Sequence, residues 1–449
     1  MPEEAAGTTQ LNLTAEFPAV PAEDWEAAIH ADLAGADYDK RLLWRTDEGI
    51  TVRPYYRQGD ATPLFLDPSQ ITSWEVAQDA ALPLDAVRAD WFHESGATAV
   101  QELGWALAWG VDELASRGPA ELTFVYAVGS NYFFEIAKLR AARALWNQAA
   151  AAFPTRARLR LHAVTALSNK STYDPHTNLL RATTEALSAA IGGANAITIR
   201  PARFSNHLAR SIHRILKEEA HIDGVADPAA GSYYIEALSN QLAQAAWKVF
   251  QAIEAGGGYR KALESGAIAG ELAAQRQARK KAVASRRRTL VGVNNYPDLN
   301  ETALGQEPVP APEAGPFPAL RLAEDFEQIR LRTERANRPT VLLLKRGDLK
   351  MRMARTNFCA NFFGCGGFTI RESEELEPAA LIVLCSSDAE YLAFARDICP
   401  RAPAPVIVAG NPKDQMEALQ QAGVAGFVHV LSNAVDTLRE WQTRLGMED

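Results

Sequence analysis

Four times between residues 85 and 220 a short apolar run is followed by a run of helix length. The strand-like runs are 85–92, 122–128, 158–164 and 195–200, and the helix-like runs are 96–116, 131–152, 175–191 and 204–220. Such alternation leaves few folds open, because parallel strands need a crossover and a helix supplies one while covering the sheet. The clearest unit is Leu122–Val128, rich in β-formers, then Gly129, Ser130 and Asn131, then apolar positions near helical spacing up to Trp146. Asp174 before Pro175 is an N-cap followed by proline at the first helical position, and Gly192-Gly193 closes that helix. An eight-unit barrel takes about 250 residues, so the span from 57 to 221 is too short for eight units. The expected fold is α/β, beginning with a truncated (β/α) TIM-type barrel. Its two open sheet edges need cover from the N-terminal arm, the helices at 235–290 or another subunit.

A second rhythm follows. Strands at 340–344, 380–384, 405–409 and 427–430 precede helices at 349–364, 388–398, 413–422 and 433–444, the order of a small flavodoxin-like sheet. The segment between Phe368 and Ala380 is too short for a full strand, helix and loop, so one unit is eroded. The expected division is an arm (1–56), a truncated barrel with C-terminal helices (57–301), a proline-rich linker that turns helical near 320–336 (302–338) and the flavodoxin-like domain (339–449). In the arm, a helix is expected at 23–34 and extended backbone at Ile50–Arg53, and residues 1–16 are expected to be disordered.

The net charge of −9 argues against a general nucleic-acid binder. No apolar run approaches the roughly 20 residues needed to span a bilayer. The first ten residues, MPEEAAGTTQ, are acidic and have no signal-peptide core, which points to the cytoplasm. Cys359, Cys365, Cys385 and Cys399 form no C-x-x-C pair and read as free thiols of a reducing compartment, mostly buried. There is no G-x-S-x-G, P-loop or H-E-x-x-H, and Gly364-Cys-Gly-Gly367 reads as a turn. The basic end at Lys280-Lys281 and Arg286–Arg288 is either a solvated helix face or a patch for an acidic partner or a CoA phosphate.

Several stretches carry a family resemblance. VGSNYFFEIAKLRAARALW (128–146), GATAVQEL (96–103), TYDPHTNLLRATTEAL (172–187), ADPAAGSYYIEAL (226–238), VGVNNYPDLNE (291–301) and the 17–56 segment resemble, in one order, the methylmalonyl-CoA mutases. The resemblance covers most of the chain. It implies that the second domain is cobalamin-binding-like, and that 17–56 is an arm that wraps a partner subunit or, alternatively, an edge of its own domain.

The same resemblance implies where chemistry would sit, and there the sequence departs. The family's lower cobalt ligand is a His in Asp-x-His-x-x-Gly after the first strand of the C-terminal domain. Here that place reads Asp348, Lys350 and Met353. A protonated Lys has no lone pair to give, the glycine is missing, and Asp348 is left as an N-cap. The only other His of that domain is His429. The family's His near the substrate carbonyl falls on Trp91, with His93 close by as a lone His at a strand end, structural or at the surface. The loop that in the catalytic chains faces the adenosyl group reads Ile199–Phe204, with no carboxylate. Arg160 and His162 match a polar strand end of the family, so a remnant substrate pocket would comprise His93, Arg160 and His162.

No catalytic residue, cofactor ligand or metal ligand is therefore expected in this chain. The expected role is a non-catalytic small subunit, in shortened form, of a heterodimer whose large catalytic mutase subunit binds adenosylcobalamin. The alternatives are a cobalamin-dependent acyl-CoA mutase active by itself, and a homo-oligomeric scaffold in which two half barrels complete each other.

Overall fold

The computed structural model describes residues 17, 20–64, 66–71, 73–78, 81–83 and 85–447. The stretch expected to be disordered, 1–16, lies outside them. The chain divides into two compact units, one ending at Tyr56 and the other running from Arg57.

The first unit holds α1 (Ala22–Asp32), α2 (Tyr38–Leu42) and an antiparallel pair, β1 (Trp44–Arg45) and β2 (Thr51–Val52), with Trp44 opposite Val52. Asp37 caps α2 by accepting from the Lys40 N–H. No residue of α1 is buried, while Phe17, Val20, Trp25 and Trp44 are exposed. Among its described residues Ile50 and Val52 are the buried large apolar side chains, far too little to offset the entropy of ordering such a segment alone.

The second unit opens with β3 (Glu75–Val76), β4 (Val87–Arg88), α3 (Ala89–Glu94), α4 (Ala99–Arg117), β5 (Glu121–Val128), α5 (Tyr132–Ala150), β6 (Arg158–Thr165), α6 (Pro175–Ile191), β7 (Ala196–Thr198) and α7 (Asn206–Arg214). The strands form one parallel sheet in the order β3-β7-β6-β5-β4. The first strand thus lies beside the last, as the first and eighth do in a closed barrel. Removing the strands that follow a barrel's first strand leaves this arrangement. Side chains alternate along β5. Phe124 and Tyr126 face the helices, Phe124 meeting Trp146 at 5.0 Å, while Val125 and Ala127 turn inward to Val164, Ala166 and Ala86.

Helix starts follow local chemistry. Thr98 and Gln101 make a capping box on α4, and Asp174 caps α6, with Pro175 in its first turn. The expected strand at 85–92 is not one: only Val87–Arg88 pairs, and Ala89–Glu94 is helical. Val87 is the one β-branched residue of that run, and Ala89 and Phe92 fall three apart on one buried face. The expected 204–220 helix divides into α7 and a π-helical turn, Ile215–Glu219.

Helices α8 (Tyr233–Ala255), α9 (Tyr259–Glu264) and α10 (Ala267–Ala284) follow. The α8 helix packs on α4 and α5 as an outer layer rather than across a sheet edge. At the β4 edge Val87 is fully buried and Arg88 reaches Asp90 and Glu313 of the linker, whereas Val76 on β3 stays 43 % exposed. The close fit of α4 makes one prediction. A Cβ on Gly110 would lie 2.3 Å from Phe124 Cζ and 2.8 Å from Trp146 Cζ3. Gly110→Ala gains about 1 kcal/mol of helix propensity but overpacks a rigid aromatic pair at about 1–3 kcal/mol. The variant is expected to be less stable in urea unfolding; equal or higher stability would show that the aromatic pair gives way.

The C-terminal part begins with α11 (Glu324–Arg335). It continues with β8 (Thr340–Lys345), α12 (Leu349–Gly364), β9 (Thr369–Ser373), β10 (Leu381–Cys385), α13 (Tyr391–Ile398), β11 (Val406–Ala409), α14 (Met416–Gln421), β12 (Val424–Val428) and α15 (Ala434–Arg444). Its parallel sheet runs β12-β11-β10-β8-β9. Both faces are apolar, as a doubly covered parallel sheet requires. Val341, Leu343 and Val383 join Phe362, Phe363 and Trp441 on one side, and Leu342, Leu344 and Ile382 join Tyr391, Phe394 and Leu419 on the other. The eroded unit keeps its strand, β9, and loses its helix, with Leu376 and Ala379 packing in the helix's stead. Cys359, Cys365 and Cys385 are buried free thiols, and Cys399 is a partly buried one.

Candidate functional site

In a barrel fold, ligands are met at the C-terminal ends of the strands. Here that end is tied shut. Glu94, at the end of α3, is fully buried, and its carboxylate accepts the Leu167 and Ser168 N–H groups at 2.9 Å each and an N–H from the Arg200 guanidinium. Arg200 also donates from its backbone to Thr165 Oγ1 at 2.8 Å and from Nε to the Thr165 carbonyl at 2.6 Å. Burial alone would raise the Glu94 carboxyl, but Arg200, His93 and the two backbone donors hold it below the usual carboxylate value. One buried carboxylate thus links α3 to the ends of β6 and β7.

Over this tie runs the linker. Leu320 N donates to the Glu94 carbonyl at 2.7 Å, Leu322 N to the Ser168 carbonyl at 2.9 Å, and Phe317 meets Phe92 at 5.7 Å. Gly315, with φ +57°, lies so close to Trp91 that a Cβ would sit 2.2 Å from the indole ring. Trp91, which the resemblance puts where the family has a His, is therefore a platform for the strap.

His93 lies within α3, not at a strand end. Its Nδ1 is 3.3 Å from Glu102 Oε2, which also binds Lys138 Nζ at 2.8 Å. Lys138 is buried and reaches Glu135 at 2.7 Å and the Ala127 carbonyl at 2.7 Å. Burial pulls the Lys138 ammonium down, but the two carboxylates win and leave its pKa raised. This cluster braces α4, α5 and β5 from behind.

Arg160 and His162 share the inner face of β6, two residues apart. Arg160 pairs with Glu75 on β3. His162 Nε2 lies 2.8 Å from Thr198 Oγ1, which in turn donates to the Ala77 carbonyl at 2.9 Å, so the imidazole is the donor of the pair. Burial, with Arg160 second, pushes the His162 pKa down to about 4, and the ring is neutral. Among the described residues no hydrogen bond or ion pair joins His93 to Arg160 or His162.

In a doubly wound sheet the ligand crevice lies at the switch point, where strand order reverses, here between β8 and β10. Glu390 fills it. Its Oε2 meets Ser387 Oγ at 2.6 Å, Ser386 Oγ at 2.8 Å, and the Ser387 and Asp348 N–H groups at 3.3 Å each. These donors pull its carboxyl down to about 2. Gly347 admits the carboxylate only for want of a side chain: with φ +83°, a Cβ there would lie 2.1 Å from Glu390 Oε2. Asp348 caps α12, accepting the Met351 N–H at 2.8 Å. Lys350 is exposed, Met353 is 39 % exposed, and His429 Nδ1 accepts the Leu431 N–H at 3.2 Å. A donor set of ammonium and thioether does not fit a corrin held through an imidazole. Among the described residues no group of three or more His, Cys, Asp or Glu side chains could hold a metal ion, and no helix is long and apolar enough to cross a membrane.

The fold defines a class: a two-sheet α/β chain of the acyl-CoA mutase type. A family model described as methylmalonyl-CoA mutase matches residues 69–331. A protein of Porphyromonas gingivalis named methylmalonyl-CoA mutase small subunit is 39 % identical, over 97 % of this chain and 99 % of the relative. A small subunit of Streptomyces virginiae is 35 % identical over 82 % of this chain and 64 % of its own length, and a methylmalonyl-CoA mutase of Rhizobium meliloti is 39 % identical over 46 % and 32 %. The chain belongs to the methylmalonyl-CoA mutase family. The Porphyromonas alignment runs over 615 positions, more than the 449 residues of this chain, while reaching both ends of the relative. A long internal stretch thus has no counterpart here, in keeping with the strands missing between β3 and β4.

Proposed function

We propose that this chain is the non-catalytic small subunit of a methylmalonyl-CoA mutase. Its partner is a large catalytic subunit, which binds adenosylcobalamin and interconverts methylmalonyl-CoA and succinyl-CoA in the cytoplasm. The observation that carries this reading is the double closure: Glu94 with Arg200 and the linker strap at one sheet, Glu390 at the other. A chain that does no chemistry itself contributes by burying surface on its partner, which stabilises the partner by mass action. The first unit supports this reading, since an α-helix with no buried residue beside exposed Phe17, Trp25 and Trp44 suits an arm laid on another chain.

The large subunit, purified with and without this chain, is expected to co-elute with it and to melt at a higher temperature in its presence. Separate elution with unchanged melting would count against a subunit role. In a cobalamin absorbance titration the isolated chain is expected to show no saturable change. Stoichiometric binding would instead favour an autonomous mutase, and a homodimer by mass measurement would favour the scaffold reading.

A further inference from the structure

We infer that a groove between the 285–295 loop, α12 and the loop after β12 is a binding site for an organic anion, a carboxylate carried on an apolar chain. The groove has a volume of about 440 Å³, within the range of small-molecule sites. Arg286, Arg287, Phe358, Val430 and Leu431 are among its lining residues.

The guanidinium of Arg286 is held in place before any ligand arrives. Nη2 donates to Asn295 Oδ1 at 3.0 Å and to Asn361 Oδ1 at 3.2 Å, and Cζ lies 5.6 Å from the Phe358 ring centroid. The two amides are themselves locked, with Asn361 Nδ2 donating to Asn295 Oδ1 at 2.6 Å. Both anchors are neutral, and among the described residues neither Arg286 nor Arg287 forms an ion pair. The donors at Nε and Nη1 of Arg286 have no protein acceptor there and are not sealed from solvent. Arg286 also adopts φ +58°, a left-handed backbone uncommon for a non-glycine residue.

Part of the lining is apolar and open. Leu431 is 79 % and Val430 70 % exposed, and Leu431 is the most exposed large apolar side chain among the described residues. A bare phosphate would use the cation and leave that lining wet, and a hydrocarbon would leave the cation without a counter-ion. An acid on an aliphatic chain satisfies both, the carboxylate taking charge-assisted hydrogen bonds from Arg286 and the chain covering Val430 and Leu431. This inference is independent of the subunit reading.

The test is calorimetric titration of the full chain with octanoate, run beside inorganic phosphate, octanol and a short peptide with one Glu among leucines. Saturable octanoate binding that weakens at least tenfold in Arg286→Gln and in Leu431→Asp, with melting unchanged in the exposed Leu431→Asp variant, supports the site. Four results would overturn it: no saturable octanoate binding, equal binding by the variants, phosphate or octanol binding as tightly as octanoate, or binding of the peptide alone, which would make the groove a protein-docking surface.

Discussion

Replacing Arg140 with methionine is expected to remove about 3–5 kcal/mol of stability, the range for leaving buried charges without their partner. Arg140 is fully buried on α5 and uses every face of its guanidinium. Nε and Nη2 each donate at 2.9 Å to Asp227, Nη2 also at 2.9 Å to Glu236, and Nη1 at 3.2 Å to both Glu236 and Ser239. Glu236 in turn accepts the Leu64 N–H at 2.7 Å and the Gly231 N–H at 3.1 Å. One side chain therefore joins α5, α8, the turn before α8 and the segment near residue 64. Methionine fills similar volume, so the loss is electrostatic rather than a cavity. Lysine keeps the charge but not the planar fork and is expected to recover only part of the loss. Urea unfolding of the three proteins measures this; a deficit in Arg140→Met below about 1 kcal/mol would mean that water or rearrangement compensates the two carboxylates.

The second large effect is acid sensitivity above the range where carboxylates titrate. His162 and His213 are both buried and both pushed down to about 4, by burial first and then by Arg160 and Lys217 respectively. His213 Nδ1 takes the Trp74 Nε1–H at 3.2 Å, and its Nε2 is buried without a partner among the described residues. An unfolded imidazole takes up its proton near 6.5, while these two refuse it until about 4. Stability is thus fully present above about pH 6.5 and falls as the pH drops toward 4, the unfolded chain binding protons that the folded one cannot. By pH 5 each group accounts for about 2 kcal/mol of the loss. His429, lowered by burial and Arg355, acts in the same direction. His162→Gln retains a donor for Thr198 and is expected to show a shallower fall between pH 7 and pH 5 in urea titrations. A slope equal to that of the parent chain would remove His162 from the account.

How much of this could be read from residues alone depended on how local the cause is. The α6 helix was legible to its ends because Asp174, Pro175 and Gly193 act within a few residues of themselves. The same holds for Asp348, whose capping bond spans three positions. The run at 85–92 misled because apolar content stands out in a short window while the scarcity of β-branched residues does not. The strand expected at 195–200 shortens to Ala196–Thr198 because Gln78 and Thr165 take the Ile199 and Arg200 N–H groups with their side chains. Neither closure could be foreseen. Glu94 meets partners 73 and 74 residues away, and Glu390 meets Asp348 across 42. A glutamate carries no mark in its own sequence window of which distant N–H it will accept. The stretches 128–146 and 226–238, by contrast, are joined in the fold, since Arg140 in the first binds Asp227 and Glu236 in the second.

The placement of β3 against β7 has a kinetic corollary. Four neighbouring strands, each joined to the next by a helix, can assemble from nearby parts of the chain, whereas Glu75 must find Ala196 across everything between. Closing so large a loop is entropically slow and is repaid by two strand-paired residues and a few flanking hydrogen bonds. Folding should therefore begin around β5 and β6, with the seam zipped last and opened first.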